Sequence, residues 1–178
     1  MKISRLAKKD IRVPAGISFS CIDNGFVFTN GKVEKFIPSV KGLDIKIDNG
    51  NCKIILNHND ISNAAIGTLA ANIRQVMLNF ENKHKATAVL IGVGYKAFMA
   101  KDGFMVMSLG YSHLVAIAIP TDVEVVIRDN TKIDVCGFTQ SVSGFVDDLC
   151  SLKPWDACAQ KGIVIDGQWL RKKESKKK

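Results

Sequence analysis

His113 is the histidine best placed for chemistry. It closes the polar run Leu109-Gly110-Tyr111-Ser112-His113, with Ser108, Ser112 and Asp122 nearby in sequence. A nucleophile–base relay needs a hydroxyl within hydrogen-bond reach of an imidazole that a third group orients. These four residues follow no such spacing, and His58 and His84 lie in separate polar stretches without an acidic partner. The acids are scattered singly except for Asp147-Asp148, which a helical reading turns toward solvent. No enzymatic activity and no small-molecule substrate are expected.

Gly92-Val93-Gly94-Tyr95-Lys96-Ala97 formally matches the dinucleotide fingerprint, and it follows the apolar strand-like run Val89-Leu90-Ile91. That fingerprint works only where the glycines open a helix whose N-terminus holds the pyrophosphate. Here Phe98-Met99-Ala100-Lys101-Asp102-Gly103 follows, which reads as a strand and a turn, and no acidic residue sits about 20 residues further on. Close backbone approach around Gly94 is the better account of the glycines. Cys21, Cys52, Cys136, Cys150 and Cys158 are odd in number and have no Cys-x-x-Cys spacing, so no zinc site, other metal centre or disulfide framework is expected. Cys21, Cys52 and Cys136 sit in apolar runs and read as reduced core residues, which points to a reducing compartment. No cofactor is expected.

The chemistry that does show a pattern is cationic. The formal net charge is +8, and its placement is uneven. Lys2, Arg5, Lys8, Lys9 and Arg12 against Asp10 give the first 12 residues +4. Arg171, Lys172, Lys173, Lys176, Lys177 and Lys178 against Glu174 give the last eight +5, leaving the body at −1. A near-neutral body with a cationic arm at each end is the electrostatic footprint of a nucleic-acid partner. The last eight residues, a block of like charge, are expected to order only on a polyanion. Within the body, basic residues mix with glycines, hydroxyls and aromatics at Gly94-Tyr95-Lys96, Tyr111-Ser112-His113, Lys153-Pro154-Trp155 and Lys161-Gly162. Structured RNA is gripped this way, through phosphate and 2′-hydroxyl contacts with glycines admitting the backbone. The candidate RNA contacts are therefore Lys2, Arg5, Lys8, Lys9, Gly94, Tyr95, Lys96, Ser112, His113, Lys153, Lys161, Gly162, Arg171, Lys172, Lys173, Lys176, Lys177 and Lys178. No stretch approaches the ~20 apolar residues of a membrane helix, and no membrane partner is expected.

The elements that must carry these residues are written twice. Gly25-Phe26-Val27-Phe28 reappears as Gly103-Phe104-Met105-Val106, Asn51-Cys52-Lys53-Ile54 as Asn130-Thr131-Lys132-Ile133, and Ile66-Gly67-Thr68 as Ser143-Gly144-Phe145. The offsets of 78, 79 and 77 residues are those of a small domain rather than of a solenoid repeat. In the first copy, runs at 17–22, 26–29, 33–37, 43–47 and 52–56 read as strands between Asp-Asn-Gly and Asn-Gly turns. A helix capped by Asp60 or Ser62 then runs to about Phe80, with Ile66, Leu69, Ala70, Ile73, Val76, Met77 and Phe80 on one face. The second copy repeats this at 87–91, 95–100, 104–109, 114–119, 123–127 and 132–136, followed by a helix from Thr139 or Ser141 that Pro154 stops.

The expected fold class is α+β: two tandem similar domains, each an antiparallel-rich β-sheet packed by one helix. The expected domains are 1–82, with the basic arm, and 83–178, the main RNA-binding copy with the basic tail. Asn82-Lys83-His84-Lys85 reads as the link, and a hairpin about Asp166-Gly167 to Trp169-Leu170 is expected in the tail.

On these residues the chain resembles the large-subunit ribosomal protein L6 family of bacterial or organellar type, over essentially its whole length. The match rests on Ser4-Arg5-Leu6-Ala7-Lys8-Lys9 before Val13-Pro14-Ala15-Gly16, on Ala65-Ile66-Gly67-Thr68, on Gly92-Val93-Gly94-Tyr95-Lys96-Ala97 with Ser108-Leu109-Gly110-Tyr111-Ser112-His113, and on the lysine-rich end. The resemblance implies a structural protein that binds large-subunit rRNA near the base of the factor-binding stalk and the sarcin–ricin loop. Its implied partners are that rRNA and neighbouring large-subunit proteins, including the stalk base. A free-standing RNA-binding or RNA-chaperone module is the alternative. The family's tyrosine-lysine-glycine-lysine-glycine segment is here Cys158-Ala159-Gln160-Lys161-Gly162, so one tyrosine, one lysine and one glycine are replaced. The first domain's glycine-rich hairpin is shortened to Asn30-Gly31-Lys32. Twenty lysines against five arginines, and no apolar or presequence-like segment before Lys2, point to a ribosome in a bacterial or endosymbiont cytoplasm or in an organelle matrix, the mitochondrion first among organelles.

Overall fold

The computed structural model of the protein describes residues 11–14, 16–22, 25–31, 33–39, 42–48, 51–56, 62–100 and 103–173. The chain divides into two compact units, Met1–Asn82 and Lys83–Lys178. Both are α+β, and every strand pairing in them is antiparallel.

In the first unit β1 (Ile11–Arg12), β5 (Leu43–Asp48) and β6 (Asn51–Leu56) form a sheet in the order β1-β6-β5. The strands β2 (Ser18–Ile22), β3 (Gly25–Thr29) and β4 (Glu34–Pro38) form a second sheet in chain order. The helix α1 (Asn63–Glu81) follows, and Ser62 caps it by accepting from the Ala64 N–H at 3.3 Å, satisfying one orphan donor of the first turn. Its buried stripe includes Ala70, and Ile66, Leu69, Ile73, Val76 and Met77 of that stripe join Phe26, Phe28, Ile37 and Cys52 in one core.

The second unit repeats the plan with one addition. The strands β8 (Lys96–Met99), β9 (Phe104–Ser108) and β10 (Val115–Ala118) form a meander, as β2–β4 do. β7 (His84–Ile91), β12 (Lys132–Gly137) and β11 (Val123–Arg128) then repeat β1-β6-β5. β13 (Gly162–Ile165), which has no counterpart among the described residues of the first unit, pairs with the outer edge of β7. The turn between β11 and β12 holds Asp129 and Asn130 at φ 52° and 54°, a left-handed region these short polar residues tolerate best after glycine. The Asn130 and Thr131 carbonyls accept from the Ala97 and Leu90 N–H groups, both at 2.8 Å, which joins the turn to β8 and β7.

The helix α2 (Thr139–Leu152) buries Val142, Phe145, Val146 and Leu149 against β7, β12 and β13. That stripe matches Ile66, Leu69, Ala70 and Ile73 of α1, one step away from the register the Gly67–Gly144 match implied. Burial rather than residue identity fixes the helical register, because the sheet must be covered by apolar side chains while helix glycines can lie on an open face. Asp147 and Asp148 are exposed, as the helical reading required. The core around α2 contains Met105, Met107, Leu109, Ile133 and Leu149 with no exposed surface, each stabilising by about 1.5–3 kcal/mol on burial.

The boundary between the two units falls within the expected link Asn82-Lys83-His84-Lys85, where β7 already begins at His84 and Lys83 donates to Glu124 Oε1. Two local expectations are corrected. Cys21 is exposed rather than buried: it shares a face with Phe26 but lies near the end of an edge strand. No hairpin forms about Asp166-Gly167, because the strand runs earlier, over Gly162–Ile165, and pairs with β7 instead of with the residues after the turn.

Candidate nucleic-acid interface

The segment from Leu152 to Ala157, where α2 ends, organises the basic residues of the second unit. Pro154 cannot continue the helix, and the chain turns away with Lys153 at φ −148°. Three separate stretches then attach to it. The Tyr111 hydroxyl donates to the Leu152 carbonyl at 3.0 Å. The Ile163 N–H donates to the Lys153 carbonyl at 2.8 Å. The Asp156 N–H donates to the Lys161 carbonyl at 2.9 Å. The Trp155 indole Nε1 donates to the Arg171 carbonyl at 2.9 Å, and the Lys173 N–H to the Ala157 carbonyl at 3.0 Å. Lys153, Lys161, Arg171, Lys172 and Lys173 are thereby gathered around a few residues of backbone. The tail as far as Lys173 is thus held by the fold, correcting the expectation that all of its last eight residues await a polyanion.

Gly162 explains how the strands come so close. A Cβ there would lie 2.7 Å from Trp155 Cα and 2.8 Å from the Pro154 carbonyl oxygen, so no other residue fits beside the segment. Its role in the site is to admit backbone. One turn earlier, Gln160 stands at φ 53°, where the family pattern has glycine, and its N–H donates to the Asp156 carbonyl at 2.8 Å. Asp156 Oδ1 also accepts from the Cys158 N–H at 2.8 Å, which ties the altered segment into a tight turn despite the replaced residues.

A second cluster adjoins the first. The Lys153 ammonium lies 4.3 Å from the centre of the Tyr111 ring, and the His113 ring stacks near-parallel to the same ring at 6.0 Å between centres and 16°. The ring quadrupole favours the ammonium. Tyr111, Ser112 and His113 are all exposed, so hydroxyl, imidazole and ammonium groups line one edge of the same surface. Tyr111 is not among the candidate contacts, although its neighbours Ser112 and His113 are. The missing signal was the long-range bond to Leu152, which no local spacing reveals.

The remaining candidates divide. Tyr95 is buried, only 6% exposed, and its ring lies beneath Gly92 and Gly110, where added Cβ atoms would meet it at 2.9 Å and 3.3 Å. The ring packs the core and offers no face to a base. Close approach therefore belongs to Gly92 and Gly110, whereas Gly94 has open space around it and is required only by its φ of 79°. Gly94 and Lys96 are exposed, and Lys96 lies opposite Ser108 in the register of β8 with β9. Lys2, Arg5, Lys8, Lys9, Lys176, Lys177 and Lys178 lie outside the described residues.

Among the described residues no three His, Cys, Asp or Glu side chains gather as metal ligands, and no helix is long and apolar enough to cross a membrane. Burial pushes the Cys52 thiol up to about 11, which makes it inert as a nucleophile at neutral pH. Burial, with help from Asp147, also pushes the Cys150 thiol up.

No family model matches the chain. Single relatives do, end to end. The chain is 32% identical over 181 residues to the large ribosomal subunit protein uL6 of Methylococcus capsulatus, covering 99% of this chain and 100% of the relative. The chain belongs to the uL6 family. It is 30% identical over 175 residues to the uL6 protein of Latilactobacillus sakei and 29% identical over 177 residues to that of Acidithiobacillus ferrooxidans. These matches cover 98% or more of both chains. Membership in uL6, a family of structural ribosomal proteins, also establishes that the chain is not an enzyme.

Proposed function

We propose that the protein is a structural constituent of the large ribosomal subunit, that it binds large-subunit rRNA mainly through its second unit, and that it lies near the stalk base and the sarcin–ricin loop, where it supports the surface used by translational GTPases. The observation that carries the binding role is the gathering of Lys153, Lys161, Arg171, Lys172 and Lys173 onto the Leu152–Ala157 segment by backbone and indole hydrogen bonds. Cations fixed by the fold lose less freedom on meeting phosphates than cations on a free tail. Tyr111, Ser112 and His113 add hydroxyl and imidazole groups suited to phosphate and 2′-hydroxyl contacts. Neighbouring large-subunit proteins, including those of the stalk base, complete the environment. The relatives are bacterial, which supports a bacterial-type ribosome, in a bacterium or an organelle matrix.

Two measurements test the reading. Co-sedimentation of the full chain with large subunits should survive a high-salt wash, and release at moderate salt would point instead to a transient RNA-binding module. If the five gathered cations each neutralise one phosphate, isolated-rRNA binding should weaken with salt at a log–log slope of about −4. A flat salt response would contradict the phosphate grip.

A further inference from the structure

The duplication exposes a place that β13 fills in the second unit and that no described strand fills in the first. The β5–β6 hairpin closes on Asp48 opposite Asn51, and the β11–β12 hairpin on Arg128 opposite Lys132. Matched on these closing pairs, Cys52 corresponds to Ile133, two residues beyond the Thr131 that the sequence repeat sets against it, because the β11–β12 connection is one residue longer and the buried Leu43 then matches the buried Val123. Their partners Ile11 and Ala88 correspond across the two sheets. Ile11 and Ala88 are 3% and 0% exposed, as equivalent positions should be. It follows that the edge 88–91, on which β13 lies, is repeated as the edge 11–14. Among the described residues β1 pairs with β6 alone. Where β13 would run there is instead a groove of about 290 Å³, walled by Ile11, Arg12 and Pro14 on the strand side and by Arg74, Met77 and Leu78 of α1 on the other. At 19 residues α1 is longer than α2, at 14, and its last turns build the far wall.

We infer that this groove is a docking site for an extended polypeptide segment of a partner protein, added as a strand antiparallel to β1 with a branched aliphatic side chain inserted between β1 and α1. The second unit supplies the template. There Ile163, 2% exposed, is held between β7 and α2, while Val164 and Gly162 lie opposite Val89 and Ile91. Leu90 turns its N–H to Thr131 on the β12 side, so Val89 and Ile91 turn their backbone groups toward β13. By correspondence Arg12 offers an N–H and a carbonyl at the open edge, and Pro14 offers a carbonyl only. Main-chain bonds of this kind give affinity, and the inserted side chain gives selectivity. Pro14 limits pairing to a short stretch, which guards the edge against open-ended self-association. The groove's apolar walls, with Leu78 50% exposed, suit an aliphatic side chain better than a phosphate. Arg12 and Arg74 against the single acid Glu81 favour an acidic residue beside it.

The probe is a free peptide copying this chain's own β13, Gly162-Ile163-Val164-Ile165-Asp166, added to the isotope-labelled full chain and followed by amide NMR. The peptide should shift the Arg12 and Val13 amides and slow exchange at Arg12 at least tenfold, while β7 keeps its own β13. Leu78→Asp, at a position exposed enough to leave the fold intact, should weaken binding at least tenfold, and so should Ile163→Asp made in the peptide alone. Four results overturn the inference: no change at Arg12 with millimolar peptide, equal binding by either substituted form, binding that emerges only after residues 1–8 are deleted, or displacement of the peptide by an RNA oligonucleotide. The third would make the chain's own arm the occupant, and the fourth would make the groove an RNA contact.

Discussion

The indole Nε1 of Trp155 donates to the carbonyl oxygen of Arg171 at 2.9 Å, sixteen residues later in the chain. With the Lys173 N–H on the Ala157 carbonyl, this bond turns the start of a basic tail into part of a folded surface. Trp155→Phe keeps an aromatic body and loses the donor. Its expected cost is about 0.5–1.5 kcal/mol of stability, the net worth of one hydrogen bond. Amide exchange at Lys173 should accelerate, and rRNA affinity should fall several-fold at constant salt. Unchanged exchange at Lys173 would show that the indole does not hold the tail.

Gln160 occupies a left-handed backbone position that glycine adopts without strain. Gln160→Gly is therefore expected to stabilise the second unit by about 0.5–1 kcal/mol, the relief of left-handed strain less the extra entropy lost by glycine. Urea denaturation of the two proteins measures it. A destabilised variant would mean that the Gln160 side chain contributes more than its backbone costs.

Two glycines of the candidate surface should behave differently. Gly162→Ala places a methyl 2.7 Å from backbone, which cannot give way, so a loss of several kcal/mol or failure of the second unit to fold is expected. Gly94→Ala meets open space and carries only left-handed strain, about 1–2 kcal/mol, with the fold retained. Comparable losses at the two positions would contradict the assignment of close approach to Gly162.

Cys52 gives the first unit a dependence on alkaline pH. Its thiol, ordinarily at 9.0, is pushed up to about 11 by burial, so the unfolded chain ionises first. A raised folded value means that this contribution is intact below pH 9 and is lost as pH rises from 9 toward 11. Cys52→Ala should flatten that part of the stability curve, as followed by denaturation between pH 8 and 11. Thiol labelling at pH 8 should be fast at the exposed Cys21 and Cys158 and slow at Cys52.

The sequence made the repeat, the α1 stripe and most strands legible, because alternation and helical spacing are local properties and Asn-Gly or Asp-Asn-Gly turns punctuate them. β1 escaped notice because two residues show no periodicity. β13 was misplaced because its partner, β7, lies some 70 residues earlier, and the Asp166-Gly167 turn signal outweighed an interaction that leaves no local trace. The candidate surface was legible by type but not by arrangement. Lysines beside glycines and aromatics marked stretches that the fold gathers at the end of α2, yet nothing local separated Tyr95, which packs beneath two glycines, from Tyr111, which links His113, Lys153 and the end of α2.

The central claim, that the gathered cations of the second unit grip large-subunit rRNA, is tested most directly by site-specific photo-crosslinking in assembled large subunits. A photoreactive residue replaces Lys172 in one full-length variant and the exposed Glu34 of the first unit in another. The account expects Lys172 to give an rRNA adduct mapping near the stalk base or the sarcin–ricin loop, with little rRNA adduct from Glu34. An rRNA adduct from Glu34 together with none from Lys172 would contradict it.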